Sequence, residues 1–354
     1  MKIVVLFGGR SGEHEVSLVS ATSVIAALDR GKYEVTEVGI TEEGEWLCGA
    51  DCLAKFKKKD FSGLGAVDFA NFKPDVVFPV LHGPFGEDGT LQGMLEMLRI
   101  PYVGCGVLAA AVGMDKVTSK IVWQAAGIGV VPWQNFTRRE FERDREGILR
   151  GVEKEFGFPV FVKPINMGSS VGVSKVKSFE ELLPAIELAL RFDRKVMVEK
   201  GLNVREIECA VLEGLDGDLL VSEPGEVIVG GEFYDFNDKY VNGVSTTEIP
   251  AKISASERAE IMELAGRAFK ALDGSGLSRV DFFLDRDDGR IYINEINAMP
   301  GFTSISMYPK MMAASGIGYG ELVDRLIALA VARGKERNSL DLKFESGSGW
   351  FKED

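Results

Sequence analysis

The chain has 354 residues, of which 45% are hydrophobic and 27% are charged, the composition of an ordinary globular protein. Because single hydrophobic cores stop growing below this length, we expect two or three domains. Lys and Arg total 41 against 54 for Asp and Glu, and the net charge of −13 argues against a general binder of nucleic acid or anionic membranes.

The N-terminal part of the chain alternates between strand and helix patterns. Hydrophobic alternation predicts strands at residues 2–7, 33–40 and 74–80. A helical pattern follows the first glycine turn at about residues 16–28, and residues 65–72 are interpreted as a surface connection. This order of elements is typical of a parallel α/β domain, which we expect to end near Gly113.

The remainder of the chain mixes strands and helices without an internal repeat. We predict strands at residues 158–164, 195–199 and 205–212. We predict helices at residues 115–129, 178–190 and 256–272. The periodicity is lost after Arg333, and the residues beyond it are expected to form a weakly packed extension.

Neither secretion nor membrane insertion is expected. The apolar run at the N-terminus is too short for a signal peptide, and no run approaches the ~18 residues that span a bilayer. The four cysteines show neither a CxxC pair nor a zinc spacing, which predicts free thiols in a reducing cytosol. His14 and His82 have no third candidate ligand between them, so a histidine-rich metal centre is not expected.

The segment IYINEIN ends a predicted strand with a carboxylate and an amide. Because strand side chains alternate between faces, we expect Ile291, Ile293, Glu295 and Asn297 to share one side. The turn residues 287–289 predict an antiparallel return from the preceding strand, RVDFFLD.

This hairpin predicts a candidate metal site. If Asp281 lies opposite Glu295, the loop holds an odd number of residues or the pair contains a bulge, and Arg279 and Asn297 join the same surface. Asp, Glu and Asn oxygens are the ligands that Mg²⁺ prefers. The alternative is a solvated strand end that carries ordinary surface charge.

Two glycine-rich segments are candidate ligand loops. Lys163 closes a strand and precedes the loop 166–172, whose backbone N–H groups could hold phosphate oxygens; the alternative is a simple hairpin turn. The segment 8–17 does not fit the dinucleotide fingerprint. Its carboxylate Glu13 could receive a substrate ammonium group, although acids at a helix start are usually partners of the helix dipole.

Two further polar segments are candidate parts of a site. His82 begins a polar turn between a strand and a helix, a position where open α/β sheets bind ligands. The alternative is a structural turn with Asp88 or Thr90 as the N-cap of the helix. Residues 231–250 are too polar and aromatic for a core strand and are interpreted as an active-site lid or a partly disordered connection.

Taken in order, seven motifs resemble the D-alanine–D-alanine ligase family of the ATP-grasp superfamily. They are GGRSGEHEVSL, HGPFGEDGTLQG, MDKVTSK, FVKPINMGSSVGVSKV, FYDFNDKY, RVDFFLD and INEINAMPGFTS. The resemblance implies a three-domain α/β and α+β ATP-grasp fold with ATP held between the central and C-terminal domains. The implied domains are an N-terminal parallel α/β domain at 1–113, a central domain at 114–208 and a C-terminal domain at 209–354. Ala298 departs from the Thr or Ser usual in the family.

The resemblance also implies a role for each motif residue. A two-ion Mg²⁺ site, in which Mn²⁺ can substitute, would use Asp281, Glu295 and Asn297. ATP would be bound by Lys116, Lys163, Ser169, Glu199, Lys200, Leu202, Glu206, Phe233 and Lys239. Catalysis would involve Glu13, Ser169, Tyr240, Arg279 and Gly301. Substrate would contact His82, Ser306 and Met307.

The implied reaction is the ATP-dependent joining of two D-alanines through an acyl phosphate, for bacterial peptidoglycan and cell-wall synthesis in the cytoplasm. A homodimer without nucleic-acid or membrane partners is expected. The alternatives are a D-alanine–D-lactate or D-alanine–D-serine ligase of the same architecture, and an ATP-grasp ligase for another substrate. A nucleotide-binding regulatory protein without turnover is disfavoured by the complete set of candidate catalytic residues, and a dinucleotide oxidoreductase by the missing glycine fingerprint.

Overall fold

The computed structural model describes residues 1–228 and 246–341. Its first sheet contains β1 (Lys2–Gly8), β2 (Glu34–Ile40), β3 (Trp46–Cys48), β4 (Gly65–Ala66) and β5 (Val76–Pro79), in the order β4-β3-β2-β1-β5. The strands β2, β1 and β5 are parallel, as predicted, while β3 and β4 add an antiparallel edge. The helices of this region are α1 (His14–Ala27), α2 (Cys52–Lys58), α3 (Phe69–Phe72), α4 (Thr90–Met97) and α5 (Val107–Met114).

The two faces of β1 pack against different helices. Ile3, Val5 and Phe7 share a core with α1 and α2, whereas Val4 and Leu6 share a core with α4. The sequence of β1 is therefore a continuous apolar run, because helices cover both faces of the strand.

The interpretation of residues 65–72 as a surface connection is wrong. This segment contains β4 and the short helix α3. Phe69 is buried, and its ring lies edge-on to that of Trp46, with 5.4 Å between the centroids. Burial of this aromatic ring fixes a segment that is too short to show a period of its own.

Among the described residues, the second sheet is antiparallel and contains four strands in the order β6-β9-β7-β8. They are β6 (Trp133–Thr137), β7 (Val160–Pro164), β8 (Ser174–Val176) and β9 (Lys195–Lys200). The accompanying helices are α6 (Lys116–Ala125), α7 (Arg138–Arg143), α8 (Arg145–Phe156) and α9 (Phe179–Ala189). Val160 and Val162 pack into the core with α8 and α9, so the alternate residues Phe161 and Lys163 are left on the opposite face.

In the described part of the chain, the third sheet has six antiparallel strands, of which the longest are β10 (Val204–Glu213), β14 (Leu277–Asp285) and β15 (Ile291–Asn297). These three strands carry the candidate site residues Glu206, Glu208, Arg279, Asp281, Glu295 and Asn297. The sheet order is β13-β12-β10-β14-β15, with β11 also paired to β10. The shorter strands are β11 (Leu219–Val221), β12 (Gly225–Ile228) and β13 (Thr246–Glu248), and the helices are α10 (Ala255–Ala271), α11 (Met307–Ala314) and α12 (Tyr319–Asn338).

The pairing of β14 with β15 confirms one prediction and corrects another. Asp281 lies opposite Glu295, as expected, but Phe282 pairs with Ile293, so Asn294 is an extra residue that forms a β-bulge. Ile291 and Ile293 therefore face the core, whereas Glu295 and Asn297 lie on the other side. The expectation that these four residues share one face is wrong, because the bulge reverses the alternation.

The C-terminal helix continues beyond the predicted loss of periodicity. α12 extends past Arg333 to Asn338 and packs against α1 and β5 of the first sheet. The Arg333 guanidinium donates to the carbonyl oxygens of Gly104 and Tyr102, at 2.6 and 2.9 Å. The expectation of a weakly packed extension is therefore wrong up to Asn338, and residues 342–354 lie outside the described residues.

The cysteines and the helix lengths agree with the sequence analysis. All four cysteines are free thiols. Within residues 1–228 and 246–341, no helix has both the length and the apolar character needed to cross a membrane.

Candidate active site

A cavity of about 640 Å³ lies between the second and third sheets. Its wall includes the predicted nucleotide residues Lys116, Lys163, Ser169, Glu199, Lys200, Leu202 and Glu206. Arg279, Asp281 and Glu295 line the same cavity. The structure therefore brings together residues as far apart in the sequence as Lys116 and Glu295. The cavity volume lies within the range of small-molecule sites.

Arg279 is held between two carboxylates on the floor of this cavity. Its Nε and Nη2 donate to the two Asp281 carboxylate oxygens, each at 2.7 Å, and Nε lies 3.1 Å from Oε2 of Glu208. These acids raise the pKa of Arg279 well above its ordinary value, although burial opposes the shift. The guanidinium is a permanent cation with a fixed orientation.

Glu208 was not identified from the sequence. It lies directly opposite Asp281 on the neighbouring strand and is buried. The sequence pattern that could have identified Glu208 is the two-residue period of β10, which places it on the same face as Glu206.

Three charged residues, Lys120, Glu199 and Lys163, form a buried cluster beside the cavity. Glu199 is 1% exposed, and its two carboxylate oxygens lie 2.6 Å from Nζ of Lys120 and 2.6 Å from Nζ of Lys163. The contact with Lys120 is an ion pair outside hydrogen-bond geometry. Burial alone would raise the pKa of Glu199, but the two lysines lower it to about 2. Lys116 lies at the start of α6, with its Nζ 4.0 Å from Glu295.

Lys120 was also missed by the sequence analysis. It follows Lys116 by four residues and therefore lies on the same face of α6. The repeated lysine in MDKVTSK was the available signal.

The glycine-serine loop touches the N-terminal part of the chain. Ser169 donates a hydrogen bond from Oγ to Oε1 of Glu13. Ser169 and Ser170 have positive φ values of 49° and 58°. A Cβ on Gly168 would lie 2.7 Å from Oε2 of Glu13, so only glycine allows this close approach without a shift.

His82 and Glu87 connect the polar turn to the segment after β15. His82 is buried between Oγ of Ser20 and the carbonyl oxygen of Met299, at 3.0 and 3.2 Å, and burial lowers its pKa. The Glu87 carboxylate accepts the N–H groups of Gly83 and Met299, at 2.7 and 3.0 Å. Burial, and then the carboxylate of Glu13, raise the pKa of Glu87 to about 8.

The alternative interpretation of this turn, an N-cap at Asp88 or Thr90, is wrong. Gly89 is the N-cap residue of α4. The Asp88 carboxylate instead accepts the N–H groups of Phe85 and Thr90, at 2.9 and 3.0 Å. Asp88 therefore braces the loop before the helix begins.

The remaining described candidates lie where β15 leads into α11. The Ser306 hydroxyl lies 2.7 Å from that of Thr303, and a Cβ on Gly301 would lie 3.0 Å from the Ser306 Oγ. Ser306 is the N-cap of α11, and the side chain of Met307 is buried. Ala298 is buried in the core of the third sheet. Phe233, Lys239 and Tyr240 lie outside the described residues.

The predicted metal ligands lie on one surface and provide hard oxygen donors. Asn297 Nδ2 donates to Oδ2 of Asp281 at 2.9 Å, and Glu295 lies opposite Asp281. In the described part of the chain, no group of three or more His, Cys, Asp and Glu side chains is arranged to hold a metal. The predicted set differs from such a group because its third member is an amide. Its chemistry fits Mg²⁺, which commonly combines few protein oxygens with substrate phosphates and water.

Comparison with known proteins identifies the family. The profile described as "D-ala D-ala ligase N-terminus" matches residues 2–105, and that described as "D-ala D-ala ligase C-terminus" matches residues 122–328. The D-alanine–D-alanine ligase of Heliobacterium modesticaldum is 49% identical, over 95% of this chain and 96% of that protein. The corresponding ligase of Acetivibrio thermocellus is 47% identical, over 94% and 96%.

Solved structures show the same relationship. The D-alanine–D-alanine ligase from Coxiella burnetii has a TM-score of 0.83 and 36% identity, covering 96% of each chain. The VanG D-Ala:D-Ser ligase from Enterococcus faecalis has a TM-score of 0.82 and 39% identity, covering 93% of this chain and 99% of that one. The chain belongs to the D-alanine–D-alanine ligase family.

Proposed function

We propose that the protein joins two D-alanines to D-alanyl-D-alanine with the conversion of ATP to ADP and phosphate. The arrangement that carries the proposal is the Arg279–Asp281 pair opposite Glu295, in a cavity that also contains Lys116 and Lys163. The similarity to D-alanine–D-alanine ligases along nearly the whole chain supports the same reaction.

ATP would occupy the cavity between the second and third sheets. Lys116 and Lys163 would bind its α- and β-phosphates, and the loop at Ser169 would cover the γ-phosphate. Glu199, Lys200 and Leu202 would line the adenine, and Glu206 would bind the ribose. All seven residues border the same cavity, which supports this assignment.

Asp281, Glu295 and Asn297 would hold two Mg²⁺ ions, with Mn²⁺ as a substitute. When bound, such ions supply neutralisation of phosphate charge during phosphoryl transfer. Because both Asp281 oxygens accept hydrogen bonds from Arg279, this carboxylate would have to share its lone pairs between the guanidinium and a cation.

The first D-alanine would lie between Glu13 and His82, with its ammonium group on the Glu13 carboxylate. The carboxylate of this D-alanine would attack the γ-phosphate of ATP, displacing ADP and forming the acyl phosphate. The amine of the second D-alanine would then attack the acyl carbon and release phosphate. Arg279 and the N–H of Gly301 would stabilise the oxyanion, and loss of one such donor typically costs about 3–4 kcal/mol.

Ser306 and Met307 would receive the carboxylate of the second D-alanine, because they begin α11, where backbone N–H groups have no partner within the helix. From the family resemblance, Phe233 and Lys239 would contact the nucleotide. Tyr240 would extend the hydrogen bond between Ser169 and Glu13.

We further propose a cytoplasmic homodimer that serves peptidoglycan precursor synthesis. We propose domains at 1–113, 114–208 and 209–354. The separation of the described strands into three sheets supports three domains, although the boundary at 208 falls within β10 (Val204–Glu213), a strand of the third sheet.

The test is phosphate release from ATP, with D-alanine, L-alanine, D-serine and D-lactate offered in turn as acceptors. We expect release with D-alanine and a dipeptide product identified by mass. D-Serine is the second candidate acceptor because the similar VanG protein is a D-Ala:D-Ser ligase. Preferential formation of a mixed product with D-serine or D-lactate would replace the proposed function with that of the alternative ligase.

A further inference from the structure

We propose that Lys120 is a positioning residue whose buried positive charge balances Glu199 and so lets Lys163 attract nucleotide phosphates. The proposal rests on the nucleotide site described above and adds a residue to it. Lys120 is 1% exposed and lies behind Glu199, whereas Lys163 borders the cavity.

The three side chains form a row of alternating charge. Lys120 pairs with one oxygen of Glu199, and Lys163 pairs with the other, each at 2.6 Å. With both lysines protonated, the row carries one net positive charge. Without Lys120, the carboxylate would cancel the charge of Lys163, and the row would be neutral.

The surroundings are suited to a charged lysine at this position. Nζ of Lys120 lies 5.7 Å from the centroid of the Trp133 ring, a distance typical of a cation–π contact. Burial lowers the pKa of Lys120, while Glu199 opposes that shift. Lys163 and Glu295 also act on Lys120, the first lowering and the second raising its pKa.

If the net charge of the row controls phosphate binding, the variants that change this charge should differ in nucleotide affinity in a defined order. Lys120→Met removes the net charge of the row, Glu199→Gln raises it to two, and the double variant restores it to one. Relative to the affinity for adenosine, the affinity for ADP should therefore be lowest in K120M and highest in E199Q, with the double variant close to the parent protein. Each step should change the ADP dissociation constant by on the order of tenfold at low salt.

Adenosine separates this effect from a structural one. Because adenosine has no phosphate, we expect its affinity to change by less than about twofold between proteins that differ only at Lys120. The readout is the ratio of ADP affinity to adenosine affinity, measured by calorimetry on the full chain. Lys154→Met, on the exposed surface of α8, is the matched control for loss of a lysine charge.

The expected result is that this ratio follows the net charge of the row. If K120M does not fold, E199Q and the double variant still test the proposal, because they differ only at Lys120. Equal ratios in those two variants would overturn it, as would an equal loss of ADP and adenosine binding in a folded K120M. A parent protein that binds ADP but releases no phosphate with D-alanine would refute the proposed function alone.

Discussion

Glu208 and Asp281 lie opposite each other on neighbouring strands, and both are paired with Arg279. Asp281 accepts two hydrogen bonds from the guanidinium, whereas Glu208 approaches the same guanidinium from the next strand. Arg279 would therefore keep one carboxylate partner while Asp281 binds a cation. This arrangement makes Glu208 a determinant of where the guanidinium points.

Replacement of Glu208 by glutamine should reduce the rate of D-alanine-dependent phosphate release by roughly tenfold, about 1–2 kcal/mol. The amide keeps the shape of the side chain but removes the charge that faces Arg279. The measurement is kcat together with the ADP dissociation constant, and we expect the latter to change less. Glu263→Gln, on the exposed side of α10, is the control. An unchanged kcat in E208Q would show that Asp281 alone orients Arg279.

Replacement of Arg279 by lysine should nearly abolish dipeptide synthesis while nucleotide affinity stays largely intact. Lysine keeps the positive charge but lacks the planar fork that holds both Asp281 oxygens. The rate of synthesis and the affinity for ADP are to be measured separately. Equal losses in both would make Arg279 a ligand of the ground-state phosphate.

Glu87 should make stability fall as pH rises. Its folded-state pKa of about 8 lies above the ordinary value of 4.5, so between these values the folded protein holds a proton that the unfolded chain has lost. The free energy of unfolding therefore decreases across this window as pH increases. The urea midpoints of the parent protein and Glu87→Gln are to be measured between pH 5 and 8 in steps of roughly one unit. Because glutamine does not titrate, the midpoint of the parent should fall relative to that of the variant as pH rises. Parallel profiles would show that Glu87 does not titrate in this range.

The protein should form little D-alanyl-D-lactate near neutral pH. Its two histidines belong to the N-terminal part of the chain, and His82 is buried against Ser20 and Met299. Tyr240 offers no positive charge to the lactate carboxylate, because a tyrosine side chain is never cationic. Equal concentrations of D-alanine and D-lactate should be offered between about pH 6 and 8.5, where dipeptide synthesis should rise with deprotonation of the attacking amine. Substantial ester product at pH 7 would contradict the role proposed for Tyr240.

Arg333 should contribute strongly to stability. Arg333→Ala removes hydrogen bonds to Gly104, Tyr102 and Ser275 that join α12 to two other parts of the chain. We expect a loss of about 2–4 kcal/mol in the free energy of unfolding, measured in urea. Arg325→Ala is the control, because its ion pair with Glu321 is exposed and is worth about 0.5 kcal/mol or less. Similar losses in both variants would show that the contacts of Arg333 contribute little.

Long elements were predictable because their periods extend over many residues. The strand at residues 2–7 and the helix at residues 256–272 correspond to β1 and α10. The two-residue strand β4 and the four-residue helix α3 are too short to show a period, and their positions depend on tertiary burial.

The candidate site was predictable where residues follow a motif. Asp281 and Glu295 are opposite each other as expected. Lys120 and Glu208 were missed because their importance arises from contacts with Glu199 and Arg279, which are distant in sequence. Strict alternation could not locate the bulge, since Asn294 resembles any other strand residue in the sequence.

The bulge at Asn294 has a consequence for how this chain tolerates changes in length. One additional residue separates the part of β15 that faces the core from the part that faces the cavity. Its side chain is replaceable in principle, but its place in the chain is not: a deletion there would turn either Ile291 and Ile293 or Glu295 and Asn297 toward the wrong side. Insertions and deletions at this point should therefore be far more damaging than substitutions.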